Sequence, residues 1–212
     1  MQFQASKHPL VAHWLTEARS KETPPKRFRH LVKEITKILI FEASRNLKLS
    51  PTSIMTPLEK VDSAPQIATP ITLITIMRAG NAMLDAALDV LDWARCGHIG
   101  LYRDPSNLKP VEYYFKLPQN ISRDEVWLLD PMLATGGSAE ASIQKLMELG
   151  VKKIKFLCLV AAPEALKKLE NLNSVELEIY AAALDRELNS KAYILPGLGD
   201  AGDRIYGTIE AH

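Results

Sequence analysis

The stretch Glu125–Leu149, EVWLLDPMLATGGSAEASIQKLMEL, runs from an apolar segment through an aspartate and paired glycines into a segment of helical spacing closed by Gly150. EVWLL is short and mostly apolar, which predicts a strand covered on both faces. SAEASIQKLMEL predicts a helix, with Gly150 as its stop signal. ATGGS is then the turn at the helix N-terminus, where the first amides lack internal partners and the helix dipole is positive. An anion is favoured there, and the glycines let it approach the backbone. Thr135 and Ser138 add hydroxyl donors, while Asp130 at the strand end offers a carboxylate to the hydroxyls of an adjoining sugar. A phosphorylated sugar fits. A Gly-Gly turn with a hydroxyl cap is the plainer alternative. No GK[ST] follows the glycines, which argues against a P-loop.

Working outward, the same alternation recurs. The apolar runs ITLITIM, GHIGLYR, VKKIKFLCLVAA and VELEIYAAAL are separated by the helical patterns NAMLDAALDVL, SIQKLMEL and PEALKKLENL. Strands alternating with crossover-length helices predict an α/β domain built on a mostly parallel sheet. With 212 residues and no internal repeat or long linker, a single domain spanning 1–212 is expected. HPLVAHWLTEAR predicts a short amphipathic helix and a longer one follows TPP, with Phe28, Leu31, Val32, Ile35, Ile38 and Leu39 on one face. These N-terminal helices, about 8–47, are expected to form an appendage or a partner surface. Residues 47–68 predict irregular or short antiparallel structure. VEYYFKLP, bounded by Pro110 and Pro118, predicts an aromatic strand in a hairpin or lid, and Tyr113, Tyr114 and Phe115 also fit simple packing on a neighbouring strand.

Composition narrows the partners. Hydrophobic residues make up 47% and charged residues 24%, as in ordinary soluble proteins. With 26 basic against 25 acidic side chains, nothing global favours nucleic acid or anionic lipid. Cys96 and Cys158 share no metal-type spacing and read as reduced thiols. No apolar signal core opens the chain and no run nears the ~20 apolar residues of a membrane span, so a cytoplasmic location without membrane or nucleic-acid partners is expected.

In a parallel sheet, ligands sit beyond the carboxyl ends of the strands. The residues there are Arg78 in IMRAG, Arg103 in LYRD, the 130–138 loop and the C-terminal PGLGDAGDRIYGT. Six of the ten glycines fall in the last two segments, which suits close backbone approach to a ligand. Either arginine suits a bidentate phosphate contact, and either also fits a surface ion pair, Arg103 with the adjacent Asp104 for example. Glycines 197, 199, 202 and 207 predict irregular structure across 193–208, where Asp200 and Asp203 lie among backbone groups suited to a flat polar molecule.

DPMLATGGS, MRAG, LYRD, YYFKLP and PGLGDAGDRIYGT together resemble the uracil phosphoribosyltransferase family, and the likeness reaches back to KHPLVAHWL and KRFRHLVKEI. The resemblance implies a type I phosphoribosyltransferase fold: a central, mostly parallel sheet flanked by helices, with a small hood and a β-arm or lid. It implies that uracil and 5-phosphoribosyl 1-diphosphate (PRPP) yield UMP and diphosphate. It assigns the diphosphate to Arg78 and Arg103, and the ribose 5-phosphate to Asp130, Pro131, Met132, Leu133, Ala134, Thr135, Gly136, Gly137 and Ser138. Ile194, Gly199 and Ala201 would read uracil through their backbone, with 193–208 as the hood loop. Asp200 would contact uracil and face the donor with its Mg²⁺, and Asp200, Arg103 and Asp130 are the catalytic expectations. Mg²⁺ would arrive on the donor rather than in a protein cage, consistent with the scatter of His8, His13, His30, His98 and His212. A homodimer or larger homo-oligomer is implied, with GTP as an effector in some members. The alternatives are an enzyme for another base, a weakly active relative, and a nucleotide-sensing regulator that binds RNA; the near-neutral charge weighs against the last. The chain departs from the family's usual pattern at Thr75 (proline), at Asn81 and Ala82 (leucine and glycine), and at Pro105 and Ser106 (an acidic pair).

Overall fold

The structure, a computed structural model, describes residues 1–103 and 110–208. In chain order the elements are β1 (Gln2–Ala5), α1 (Pro9–Arg19), α2 (Pro25–Ser44), β2 (Leu49–Met55), β3 (Lys60–Ile67), β4 (Ile71–Met77), α3 (Asn81–Leu88), β5 (Arg95–Arg103) and β6 (Pro110–Lys116). They continue with β7 (Glu125–Leu129), β8 (Met132–Leu133), α4 (Gly137–Glu148), β9 (Lys153–Ala161), α5 (Pro163–Leu169), β10 (Glu176–Leu184), β11 (Glu187–Leu188), β12 (Ile194–Leu195) and α6 (Ala201–Tyr206).

Among the described residues the main sheet runs β1-β10-β9-β7-β4-β5-β6, with short β8 added beside β9. Its pairings are parallel except β5 with β6, which are antiparallel. This bears out the expected α/β class, and VEYYFK forms one arm of the antiparallel hairpin at the sheet edge. Strand side chains alternate between two cores. On β7 Trp127 and Leu129 face one core while Val126 and Leu128 face the other; on β9 Leu157 and Leu159 oppose Ile154, Phe156 and Cys158.

One core lies under α4 and α5. The other lies under α1, α2 and α3, which corrects the expectation that the N-terminal helices form an appendage. Phe28, Leu31, Val32, Ile35, Leu39 and Ile40 are all fully buried in the same cluster as Leu73, Trp127 and Leu157. The cause is geometric: a parallel sheet must be covered on both faces, and the eight-residue α3 is too short to cover one alone. Full burial of such side chains contributes about 1.5–3 kcal/mol each, so α2 is part of the folding core. By contrast β2 and β3 form a separate antiparallel hairpin with Met55 and Leu58 exposed near its tip, the antiparallel form of the 47–68 expectation.

A charged residue is buried within this frame. Lys155 on β9 is fully buried and pairs with Glu125 at 2.8 Å. Its Nζ also donates to the Ala43 carbonyl at 2.7 Å and to Asn46 Oδ1 at 2.6 Å, and lies 5.0 Å from the Trp127 ring centre. The end of α2 is thereby tied to the sheet.

The C-terminal segment is also more regular than its glycines predict. Asp200 accepts from the Asp203 amide at 2.9 Å as the N-cap of α6, and Gly207 takes the left-handed conformation just beyond it. Two good end signals support a six-residue helix that contains Gly202.

Candidate active site

A cleft of about 420 Å³ opens at the carboxyl end of the sheet. Ala79, Asp130, all of 132–139, residues 191–194 and residues 199–202 line it.

The strand-to-helix loop is anchored along its length. The Asp130 amide continues the ladder to the Leu157 carbonyl at 3.2 Å, and Asp130 Oδ1 accepts from the Met132 amide at 3.3 Å. The Pro131 carbonyl accepts from Leu159 at 3.0 Å and Val160 at 3.2 Å, before β8 pairs with β9. The chain then turns through Gly136 at φ 76°, with Ala165 so near that a Cβ would lie 3.3 Å from its Cα. Gly136 opens α4, whose first amide, Gly137, donates to Thr135 Oγ1 at 3.4 Å. The helix N-terminus therefore faces the cleft, as the opening stretch of sequence predicts.

Beside it, β4 leads into Arg78-Ala79-Gly80. A Cβ on Gly80 would lie 2.3 Å from the Leu129 carbonyl oxygen, so only glycine lets this turn lie against β7. The Arg78 guanidinium is half exposed, 3.7 Å from an Asp203 carboxylate oxygen and 5.7 Å from the Tyr206 ring centre. The Tyr206 hydroxyl donates to the Arg78 carbonyl at 2.9 Å, which joins α6 to this turn. Burial raises the Tyr206 pKa, with the neighbouring Arg78 charge opposing it, so the phenol stays protonated as a donor at neutral pH.

The third wall is the 194–201 turn. Gly197 at φ 64° and Gly199 at φ 71° are left-handed, and a Cβ on Gly197 would lie 2.1 Å from the Ile194 carbonyl oxygen. Two arginines absent from the expected site hold this turn. Arg19 donates to Asp185 at 2.9 and 2.6 Å and to the Gly197 carbonyl at 2.8 Å, while Asp185 accepts from the Gly197 amide at 2.9 Å. Arg204 donates to the carbonyls of Ala18, Leu198 and Ser20 at 2.7, 2.8 and 2.6 Å and stacks 4.1 Å from the Phe28 ring centre. Burial lowers the Arg204 pKa, though its ordinary value leaves it charged at neutral pH.

Asp130, Met132, Leu133, Ala134, Thr135, Gly136, Gly137, Ser138, Ile194, Gly199, Asp200 and Ala201 all meet at the cleft. Pro131 serves the loop behind it through its carbonyl, and Arg78 stands next to the lining residue Ala79. Arg103 ends β5, but its side chain and the departures at Pro105 and Ser106 lie outside the described residues. Lys191, Ala192 and Tyr193 also line the cleft; of these, only Tyr193 falls inside the expected hood loop. GLGDAG at 197–202 has the glycine spacing of a dinucleotide fingerprint, yet it follows a two-residue strand and opens a six-residue helix, the wrong setting for that motif. Among the described residues no cluster of three or more His, Cys, Asp or Glu is placed to hold a metal, and no helix is long and apolar enough to cross a membrane.

A mostly parallel sheet with an aspartate at a strand end, a glycine turn into a helix and a C-terminal turn lining the same cleft fits the phosphoribosyltransferase fold that the sequence resemblance implies. The hypoxanthine-guanine phosphoribosyltransferase of Bacillus anthracis shares this fold, with a TM-score of 0.51 and 10% identity across 76% of this chain and 80% of that one. The AQ2163 protein of Aquifex aeolicus matches with a TM-score of 0.91 and 34% identity, covering 99% of this chain and 100% of that one. The family model for uracil phosphoribosyltransferase matches residues 5–208. Proteins with that name from Dictyoglomus turgidum and Streptococcus mutans are 49% and 48% identical, covering 95% and 97% of this chain and 97% and 98% of their own. The chain belongs to the uracil phosphoribosyltransferase family.

Proposed function

We propose that the protein transfers the 5-phosphoribosyl group of PRPP to N1 of uracil, releasing diphosphate and forming UMP. The supporting observation is that one cleft places an anion-favouring helix N-terminus and a strand-end aspartate opposite a turn whose backbone is held rigid. The α4 N-terminus holds the 5-phosphate, with Thr135 and Ser138 as hydroxyl donors. Asp130 accepts from the ribose hydroxyls. Ile194, Gly199 and Ala201 present backbone groups to the uracil edge, and Arg78 with Arg103 receives the diphosphate.

In the reaction the bond from ribose C1 to the diphosphate oxygen breaks as the bond from uracil N1 to C1 forms, and the N1 proton passes to solvent. The protein's share is positioning and charge stabilisation: two anion sites fix the donor, and the rigid turn aims N1 at C1. Asp130 and Asp200 both line the cleft and offer the oxygen donors that Mg²⁺ prefers, so the residues suit an ion that also takes donor phosphates as ligands. When bound, Mg²⁺ would neutralise charge developing on the diphosphate.

The test incubates the protein with Mg²⁺ and PRPP and separately supplied uracil, cytosine, orotate or hypoxanthine, with nucleotide and diphosphate quantified by chromatography. UMP from uracil alone is expected. Product from another base would reassign the substrate, and donor binding without any product would favour a nucleotide sensor.

A further inference from the structure

Two of the departures in the sequence meet in space. Thr75 is fully buried on β4, and its hydroxyl lies 2.8 Å from Asn81 Oδ1, on the first residue of α3. The same hydroxyl lies 2.8 Å from His98 Nδ1, on the paired position of β5. A threonine hydroxyl has one proton to give. Asn81 Oδ1 takes it, so His98 donates from Nδ1, and the three side chains form a directed chain.

The segment between Thr75 and Asn81 contains the Arg78-Ala79-Gly80 turn at the cleft. Asn81 reaches back across that turn to the strand that launches it, closing the turn from inside the protein. The Gly80 amide to the Ile76 carbonyl at 3.0 Å fixes its middle, and Tyr206 fixes it from the hood. Neither of those contacts joins α3 to β4 through side chains. From this geometry we infer that Thr75, Asn81 and His98 are positioning residues that hold the 78–80 turn in its anion-receiving form and so set affinity for the diphosphate-bearing donor. The inference rests on the reading of this turn as the diphosphate site. A turn already ordered loses less freedom when the donor binds, so breaking the chain weakens donor binding selectively.

Thr75→Val removes both links and Asn81→Leu removes one, and Thr75→Ser restores the hydroxyl. Steady-state kinetics would measure KM for PRPP and for uracil, calorimetry would measure PRPP binding with Mg²⁺, and hydrogen exchange of the ligand-free proteins would follow the amides of 78–81. Each single variant is expected to raise the KM and Kd for PRPP about tenfold or more, the worth of at least one net hydrogen bond, while the KM for uracil and kcat change less than about twofold. The double variant should do no worse than the more affected single one, because both cut the same chain. Thr75→Ser should restore donor affinity, and exchange at 78–81 should quicken in both broken variants. Equal losses for both substrates, or a serine variant as impaired as the valine one, would overturn the inference. Unchanged exchange at 78–81 would do the same. Failure of the unaltered protein to bind PRPP would instead overturn the site reading, and with it any role of the chain in donor affinity; faster exchange would then report a structural tether alone.

Discussion

At the scale of single residues, Asp200 has an observed job as a helix cap and a proposed one facing the donor, and one substitution separates them. Asp200 caps α6 through the Asp203 amide, and Asn caps a helix about as well as Asp. Asp200→Asn should therefore leave the thermal midpoint nearly unchanged while lowering kcat about 10²-fold, if its charge faces the donor. Matched losses in calorimetric midpoint and turnover would contradict that role. Cys158 supplies a second residue-level expectation. Burial, and then the negative charge of Asp130, raises its thiol pKa well above the ordinary value, so it stays protonated and unreactive at neutral pH. A thiol reagent should modify the exposed Cys96 in the folded protein and reach Cys158 only on unfolding, as peptide mass mapping would show. Asp130 and the glycines were legible in the sequence because each has a local reason to be where it is. Lys155 was not: a lysine inside KIKFLCLV carries no local sign of the Glu125 and Asn46 that surround it. Removing one partner of a buried pair leaves the other uncompensated, so Lys155→Ala should cost about 3–5 kcal/mol in a denaturant titration.

At the scale of elements, the two ends of the chain hold each other. Arg19 at the end of α1 grips Asp185 and Gly197, 166 and 178 positions away, which no window of sequence can reveal. Arg19→Ala frees the Gly197 carbonyl and leaves Asp185 without its arginine, so the turn proposed to face uracil loosens. The KM for uracil should rise about tenfold with a smaller change for PRPP, as initial rates at varied concentrations of each would show. A rise confined to PRPP would place the turn elsewhere in the mechanism. Helix α6 was missed for a different reason. Six residues are too few to show a 3.6-residue period, and Gly202 disguised a segment whose Asp200 cap and Gly207 stop were both present. The α4 N-terminus was readable because a full helical pattern follows the glycines.

At the scale of the whole molecule, the parallel sheet was legible because its strands are apolar on both faces, a pattern that only a doubly covered sheet produces. What covers the second face was not, since the apolar stripe of α2 fits equally a partner surface and the protein's own sheet. Burial decides for the sheet, and α2 then carries Phe28 beneath Arg204, linking the core to the 194–201 turn. The architecture thus brings three distant segments to one cleft, and the central claim is that a single nucleotide bridges two of them, the loop at the α4 N-terminus and the 194–201 turn. The most direct measurement is the hydrogen-exchange footprint of saturating UMP on the unaltered protein. Protection of 135–139 at the α4 N-terminus together with 199–201 in the hood is the predicted result. Protection of only one of these segments, or of neither, would contradict the claim that the cleft is the phosphoribosyl and uracil site.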